Sequence, residues 1–307
     1  MTAPKKTAPR NLFGDGLGVA LATPFLPDYS IDTQALVRLV QHCTAGGADF
    51  VVSLGSTGEA ALLTESERDH VVTTTREHAG RASVLVGTGA PSTAQTIAWT
   101  ARAHELGADG ALVVVPPYTR PTQAGLLAHF QAVAAAVPDL PLVVYNVPGR
   151  TATNLLPATM QRLWSLPTAV ALKESSGDLQ QISRIAAELP PGKTLLAGDD
   201  ALLLPTIAVG GTGVISVAGN VVPGSMRELL AAARSGDLSR ARSLQARLLP
   251  LFEALSAEPN PIPVKTALAL LGFAEPVLRL PLLAASPATR ERLHAALSML
   301  PGEVSHA

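Results

Sequence analysis

Short apolar runs alternate with longer amphipathic stretches along most of this chain. The apolar runs cover residues 18–22, 50–54, 83–87, 111–115, 142–146, 169–173, 194–197 and 213–217. Most are continuous rather than alternating, which is the pattern of strands covered on both faces in a parallel sheet. Between them, residues 32–45, 65–78, 93–106, 123–137, 157–163, 179–189, 201–209 and 225–233 read as helices. Asp32 stands before an apolar-periodic run, Thr64 is followed three residues later by Glu67, and Pro157 suits a first helical turn. Gly46, Gly80 and Gly107 are placed to stop helices.

Eight β/α alternations within roughly 220 residues match a closed parallel barrel. A doubly wound open sheet is the competing arrangement, and it usually places a glycine-rich phosphate turn after its first strand. Here the first strand ends in Thr23-Pro24-Phe25, which favours the α/β class with a (β/α)8 TIM barrel. Strand signals stop near Asp237, and 237–255, 263–271 and 287–300 read as three further helices, with Pro281 and Pro287 punctuating the last joint. The organisation expected is a flexible tail over 1–11, a catalytic barrel over 12–236 and a C-terminal helical extension over 237–307.

Composition narrows the function classes. Hydrophobic residues make up 47% of the 307 and charged residues 15%, with a net charge of -1. Such a chain buries a sizeable core, and without a long basic run it has no footprint for nucleic acid or an anionic membrane. Lys5, Lys6 and Arg10 precede no apolar stretch of signal-peptide type, and no run is long and apolar enough to span a bilayer. A cytoplasmic location is the default expectation. The single cysteine, Cys43, lies in an apolar helical stretch and reads as a packed core thiol.

In a parallel barrel the chemistry sits at the carboxyl ends of the strands. The polar residues expected there are Thr23, Ser56 and Thr57, Tyr118, Tyr145-Asn146 with Arg150 beyond, Lys173-Glu174, Gly198-Asp199-Asp200, and Ile215-Ser216. Lys173 is the sharpest signal. Of five lysines it alone ends an apolar β run, Ala169-Val170-Ala171-Leu172. Burial favours an amine over an ammonium, and a neutral amine attacks a ketone to give an iminium that serves as an electron sink. A structural ion pair with Glu174 or Asp199 is the plainer alternative.

Schiff-base chemistry also needs proton carriers, and Tyr145, Thr57 and Tyr118 are available. A strand tyrosine with a satisfied hydroxyl and a solvent-facing loop tyrosine are the plainer readings of Tyr145 and Tyr118. Gly55-Ser56-Thr57-Gly58 can bind a carboxylate through amides and hydroxyls, although many tight turns look like this. Arg150 can grip a second carboxylate as a planar fork, with a surface arginine as the alternative. His42, His70, His78, His104, His129, His294 and His306 form no metal-ligand spacing, so no metal is expected. No Gly-x-Ser-x-Gly elbow is present to start a serine triad.

At these residues the chain resembles the dihydrodipicolinate synthase / N-acetylneuraminate lyase family of class I aldolase-like barrels. The motifs are Gly55-Ser56-Thr57-Gly58-Glu59, Tyr145-Asn146-Val147-Pro148-Gly149-Arg150-Thr151, Leu172-Lys173-Glu174-Ser175-Ser176-Gly177-Asp178, Gly213-Val214-Ile215-Ser216-Val217 and Glu258-Pro259-Asn260-Pro261-Ile262-Pro263-Val264-Lys265. Each is weak alone. The ordered set, running from Gly18 to Leu282, is specific.

The resemblance implies Lys173 as the Schiff-base lysine and Tyr145, Thr57 and Tyr118 as a proton relay, with Tyr118 reaching across a dimer interface. It implies Ser56 and Thr57 as the pyruvate-carboxylate loop, Arg150 as the mouth arginine, and Gly198 and Ile215 as pocket-lining positions. It implies no cofactor, and a homotetramer built from dimers. Val-Pro-Gly-Arg-Thr resembles the synthase branch, which condenses pyruvate with L-aspartate-4-semialdehyde on the route to lysine. The alternatives are another pyruvate-dependent aldolase of the family, acting on 2-keto-3-deoxy sugar acids or sialic acid, or a non-catalytic barrel that binds a small acid.

Two departures bear on regulation. Pro117 stands where many synthases have the first of two tyrosines, and Glu65, Pro91 and Gln95 stand where lysine-inhibited relatives carry His, Asn and Glu. Free L-lysine is therefore expected to be a poor feedback inhibitor. Titrating L-lysine into the assay should leave the rate unchanged below millimolar concentrations, and strong inhibition in that range refutes the expectation.

Overall fold

A computed structural model describes residues 12–300. The expected tail at 1–11 and the end of the extension at 301–307 lie outside the described residues. The strands are β1 (Leu17–Ala20), β2 (Phe50–Ser53), β3 (Ser83–Gly87), β4 (Gly110–Val114), β5 (Leu142–Asn146), β6 (Ala169–Glu174), β7 (Thr194–Ala197) and β8 (Gly213–Ser216). They pair in sequence order, all parallel, and β8 returns to β1 through Leu17 opposite Val214 and Gly18 opposite Ile215. Closure gives every strand two partners and leaves no edge, which rules out the open-sheet alternative.

The helices are α1 (Thr33–Ala45), α2 (Glu65–His78), α3 (Thr93–Glu105), α4 (Gln123–Ala136), α5 (Pro148–Thr151), α6 (Pro157–Leu163), α7 (Leu179–Ala187), α8 (Leu203–Ala208) and α9 (Pro223–Ser235), followed by α10 (Leu238–Leu255), α11 (Ile262–Leu270) and α12 (Pro287–Ser298). Local chemistry starts several of them as the sequence implies. The Asp32 carboxylate accepts the Ala35 N–H, and Thr64 and Glu67 form a reciprocal capping box at α2, each such cap contributing about 1 kcal/mol. Ser92 opens α3 without a side-chain cap. The four-residue α5 has no periodicity to announce it, being shorter than two turns.

Two apolar layers hold the barrel. Its lumen is filled by large side chains, among them Phe50, Leu85, Leu112, Leu196 and Ile215. Phe13 joins this layer and meets Phe50 edge-on, with centroids 5.3 Å apart. Burial of each such side chain is worth roughly 1.5–3 kcal/mol. Gly18 is required there: a Cβ would come 2.2 Å from the Phe50 ring. The outer layer seals strands against helices. Cys43 lies fully buried in it, so its thiol is pushed up by burial and is a core group, as the sequence reading expects. Among the described residues no helix is long and apolar enough to cross a membrane.

The C-terminal helices share the barrel's core. Leu244, Leu248, Leu251 and Phe252 of α10 belong to one cluster with Met226, Leu229 and Leu230 of α9. Beyond α11, Arg279 donates to Glu67 at 2.8 Å and to the carbonyl of Leu62 at 3.0 Å. It thereby ties the segment before α12 to the start of α2.

The Arg279 guanidinium, with a smaller contribution from Thr64, holds the Glu67 carboxyl down at about 2 against an ordinary value of 4.5. A depressed carboxyl contributes stability that is present above the ordinary value and lost as pH falls through the folded one. Urea unfolding of wild type and Glu67→Gln should therefore differ by about 1 kcal/mol near neutrality, with the difference vanishing toward pH 2. Equal acid sensitivity of the two proteins would contradict this.

Candidate active site

Side chains on a strand alternate between its faces, and on β6 that alternation sorts two charged residues. Glu174 points outward and Lys173 inward. Glu174 is held by Asn146 Nδ2 at 3.1 and 3.0 Å and by the Ser176 N–H at 2.7 Å. Asn146 in turn accepts the Leu155 N–H at 2.9 Å and donates to Asn154 at 2.8 Å. Burial pushes the Glu174 carboxyl up, and these hydrogen bonds oppose that shift. Glu174 is thus occupied on the helix side, which removes it as an ion-pair partner for Lys173.

Lys173 is 5% exposed, directly opposite Tyr145 in the β5–β6 register. Its Nζ sits 4.3 Å from the centroid of the Tyr145 ring. No carboxylate oxygen of the described residues lies within 4.0 Å of it. Asp199 lies two residues beyond β7: burial raises its carboxyl and the charge of Lys173 partly offsets this. Asp200 accepts the N–H groups of Val217 and Ala218 at 3.1 and 2.8 Å. The plainer reading of Lys173 as half of a structural ion pair has no partner here.

Above Lys173 a cavity of about 280 Å³ opens at the carboxyl ends of the strands. Ser56, Thr57, Tyr145, Arg150, Lys173 and Gly198 all line it. Six of the eight residues to which the resemblance gives a role therefore meet at one mouth. Gly198 has to be glycine: a Cβ would press on the Ser175 hydroxyl at 1.9 Å and on Lys173 Cε at 3.1 Å. Arg150, carried by α5, is exposed at the rim and donates to the Asn260 carbonyl at 2.9 Å.

The other two sit elsewhere. Ile215 is fully buried in the lumen cluster with Tyr145, below the cavity, and Val217 lines the wall on that side instead. Tyr118 is 92% exposed, in a loop beyond β4, with a left-handed φ of 70°. A bulky residue in that region costs of order 1–3 kcal/mol and persists where its surroundings demand it.

The Gly55-Ser56-Thr57-Gly58 loop is a fixed object. Leu54 and Glu59 on either side are both left-handed, with φ of 56° and 51°, and the Gly58 and Glu59 N–H groups bond back to Gly55 and Ser56 at 3.1 and 3.2 Å. Glu59 then anchors the loop from below. Its carboxylate receives Lys265 Nζ of α11 at 2.6 Å and the Arg279 N–H at 3.0 Å. Lys265 also lies 4.0 Å over the Phe25 ring. The Glu59 and Lys265 side chains are 0% and 2% exposed. Breaking such a pair leaves one buried charge alone, at a cost of about 3–5 kcal/mol.

Asn260, between α10 and α11, reaches the same loop, and its Nδ2 donates to Thr57 Oγ1 at 2.9 Å. Sequence reasoning gave Asn260 no role. Its local signal is an amide between Pro259 and Pro261, in the gap between two expected helices. Glu65 and Gln95, positions read against lysine regulation, line a separate cavity between α2 and α3, where the Arg68 guanidinium lies 3.9 Å over Trp99.

Comparison with known proteins shows the family to which the chain belongs. A family model described as the dihydrodipicolinate synthetase family matches residues 14–300. A 4-hydroxy-tetrahydrodipicolinate synthase of Thermosynechococcus vestitus is 48% identical over 282 residues, 92% of this chain and 95% of its own. The crystal structure of dihydrodipicolinate synthase from Aquifex aeolicus superposes with a TM-score of 0.90 at 43% identity, covering 93% of this chain and 98% of that one. A chloride-inhibited dihydrodipicolinate synthase from Acinetobacter baumannii complexed with pyruvate gives a TM-score of 0.90 at 38% identity, covering 93% and 98%. With the match spanning the barrel, the mouth residues and the C-terminal helices together, this chain belongs to the dihydrodipicolinate synthetase family.

Proposed function

We infer that this chain is a Schiff-base lyase, a 4-hydroxy-tetrahydrodipicolinate synthase that condenses pyruvate with L-aspartate-4-semialdehyde in lysine biosynthesis. The observation that carries the chemistry is Lys173, buried and free of a carboxylate partner, with its Nζ over the Tyr145 ring at 4.3 Å. The relatives that match nearly the whole chain are named for this reaction, and a structural neighbour is described with pyruvate.

Lys173 Nζ attacks the pyruvate ketone carbon and water leaves, giving a cationic iminium. The electron-rich face of Tyr145 stabilises a cation placed over it, so the ring that receives Nζ also favours its charged product. Loss of a proton from the pyruvate methyl gives the enamine. The enamine carbon then forms a bond to the aldehyde carbon, whose oxygen takes up a proton. Finally the substrate's own amine attacks the iminium carbon, closes the ring and expels the Lys173 amine.

Each proton moves through the hydroxyls of Tyr145 and Thr57. Ser56 and Thr57 hold the pyruvate carboxylate, Gly198 leaves room for the lysine stem, and Arg150 receives the carboxylate of the aldehyde substrate at the rim. Tyr118, exposed and left-handed in a single copy, belongs to the relay of a second copy packed against this loop, within a homotetramer built from dimers. A cytoplasmic enzyme needing no cofactor completes the reading.

A panel of aldehydes offered with pyruvate tests the substrate assignment, with turnover expected for L-aspartate-4-semialdehyde and not for sugar-acid or sialic-acid partners. Arg150→Ala should raise the aldehyde KM about 10- to 100-fold, the cost of one charge-assisted contact, while iminium formation with pyruvate persists. Loss of iminium formation in Arg150→Ala would contradict the role given to Arg150.

A further inference from the structure

We propose that Asn260, supplied by the C-terminal extension, is a positioning residue that sets the direction of the Thr57 hydroxyl in proton transfer. The proposal rests on the reading of Thr57 as a proton carrier and adds what orients it. A hydroxyl has one proton to give and two lone pairs. Asn260 Nδ2 occupies one lone pair of Thr57 Oγ1 at 2.9 Å. The Thr57 proton is thereby turned away from the amide, toward the cavity that Thr57 shares with Tyr145 and Lys173. Thr57 is 2% exposed, so bulk water does not reorient it.

The segment that carries Asn260 is held independently of its side chain. Upstream, the Glu258 carboxylate accepts the Ser286 N–H at 2.9 Å and the Ser286 hydroxyl at 2.6 Å. Downstream, Lys265 is buried against Glu59 at 2.6 Å. The contact to Arg150 uses the Asn260 backbone carbonyl. Substituting the side chain therefore addresses Thr57 and leaves the Arg150 contact in place.

The chemistry separates orientation from mere packing. Asn260→Ala removes the donor and leaves the Thr57 hydroxyl free to rotate. Asn260→Asp is nearly isosteric and keeps a hydrogen-bonding group, but a carboxylate only accepts, so it captures the Thr57 proton and turns it out of the relay. A packing role ranks Asp above Ala. Orientation ranks Ala above Asp.

Steady-state kinetics of both variants, in the wild-type and Thr57→Val backgrounds, tests this, with kcat expressed per active site titrated by borohydride reduction in the presence of pyruvate. Asn260→Ala should lose about fivefold in kcat, the scale of one neutral hydrogen bond. Asn260→Asp should lose about 50-fold or more, the scale of an impaired proton transfer. The aldehyde KM should stay within about twofold in both, because the backbone contact to Arg150 survives. In the Thr57→Val background the two variants should become equal.

Asn260→Asp turning over as fast as Asn260→Ala overturns the proposal. A deficit of Asp that persists without the Thr57 hydroxyl also overturns it, since the added charge then acts directly. Failure of both variants to trap pyruvate counts against it too, because orientation slows proton transfer without removing Lys173. If Thr57→Val alone leaves kcat unchanged, the underlying reading of Thr57 fails, and that outcome is distinct from the other three.

Discussion

The chemistry proposed for this molecule depends on the sorting of two adjacent charged residues on one strand. Strand β6 carries Lys173 and Glu174 side by side, and the strand's period of two sends them to opposite faces. Glu174 is bound on the outside by Asn146 and the Ser176 N–H. That network fixes the face of the strand and leaves the amine of Lys173 facing inward, over Tyr145, without a carboxylate partner. A shift of one residue would exchange the two side chains, and a carboxylate would then stand where the Schiff base is proposed to form. The outward hydrogen bonds of Glu174 thus hold the strand face on which the proposed nucleophile stands.

The mouth above Lys173 is assembled from both parts of the chain. The loop after β2 holds an unfavourable backbone at Leu54 and Glu59, and it is fastened by Lys265 and Arg279 from beyond the barrel. Asn260 bridges two mouth residues that never meet in sequence, its amide on Thr57 and its carbonyl on Arg150. The C-terminal helices are accordingly part of the active-site architecture as well as of the core.

Much of this was legible in the amino-acid order because the signals were local. Continuous apolar runs marked the eight strands, and the side chains closing them marked the mouth, since a parallel barrel gathers its strand ends by construction. What escaped depended on distance. The four-residue helix carrying Arg150 is too short to show a period. Asn260 meets Thr57 across a separation of 203 residues, which no spacing rule reaches. Ile215, which the resemblance placed on the pocket wall, is buried in the lumen, and Val217 just beyond β8 lines the cavity instead. Tyr118 stands exposed in one copy of the chain, and the part proposed for it needs a second copy.

The Lys173 amine is the proposed nucleophile. Reducing the protein with borohydride in the presence of pyruvate, then locating the modified peptide by mass spectrometry, tests it most directly. One stable adduct per chain is expected, on the peptide that contains Lys173, and none in Lys173→Ala. An adduct on Lys193 or Lys265, or undiminished labelling of Lys173→Ala, would contradict it.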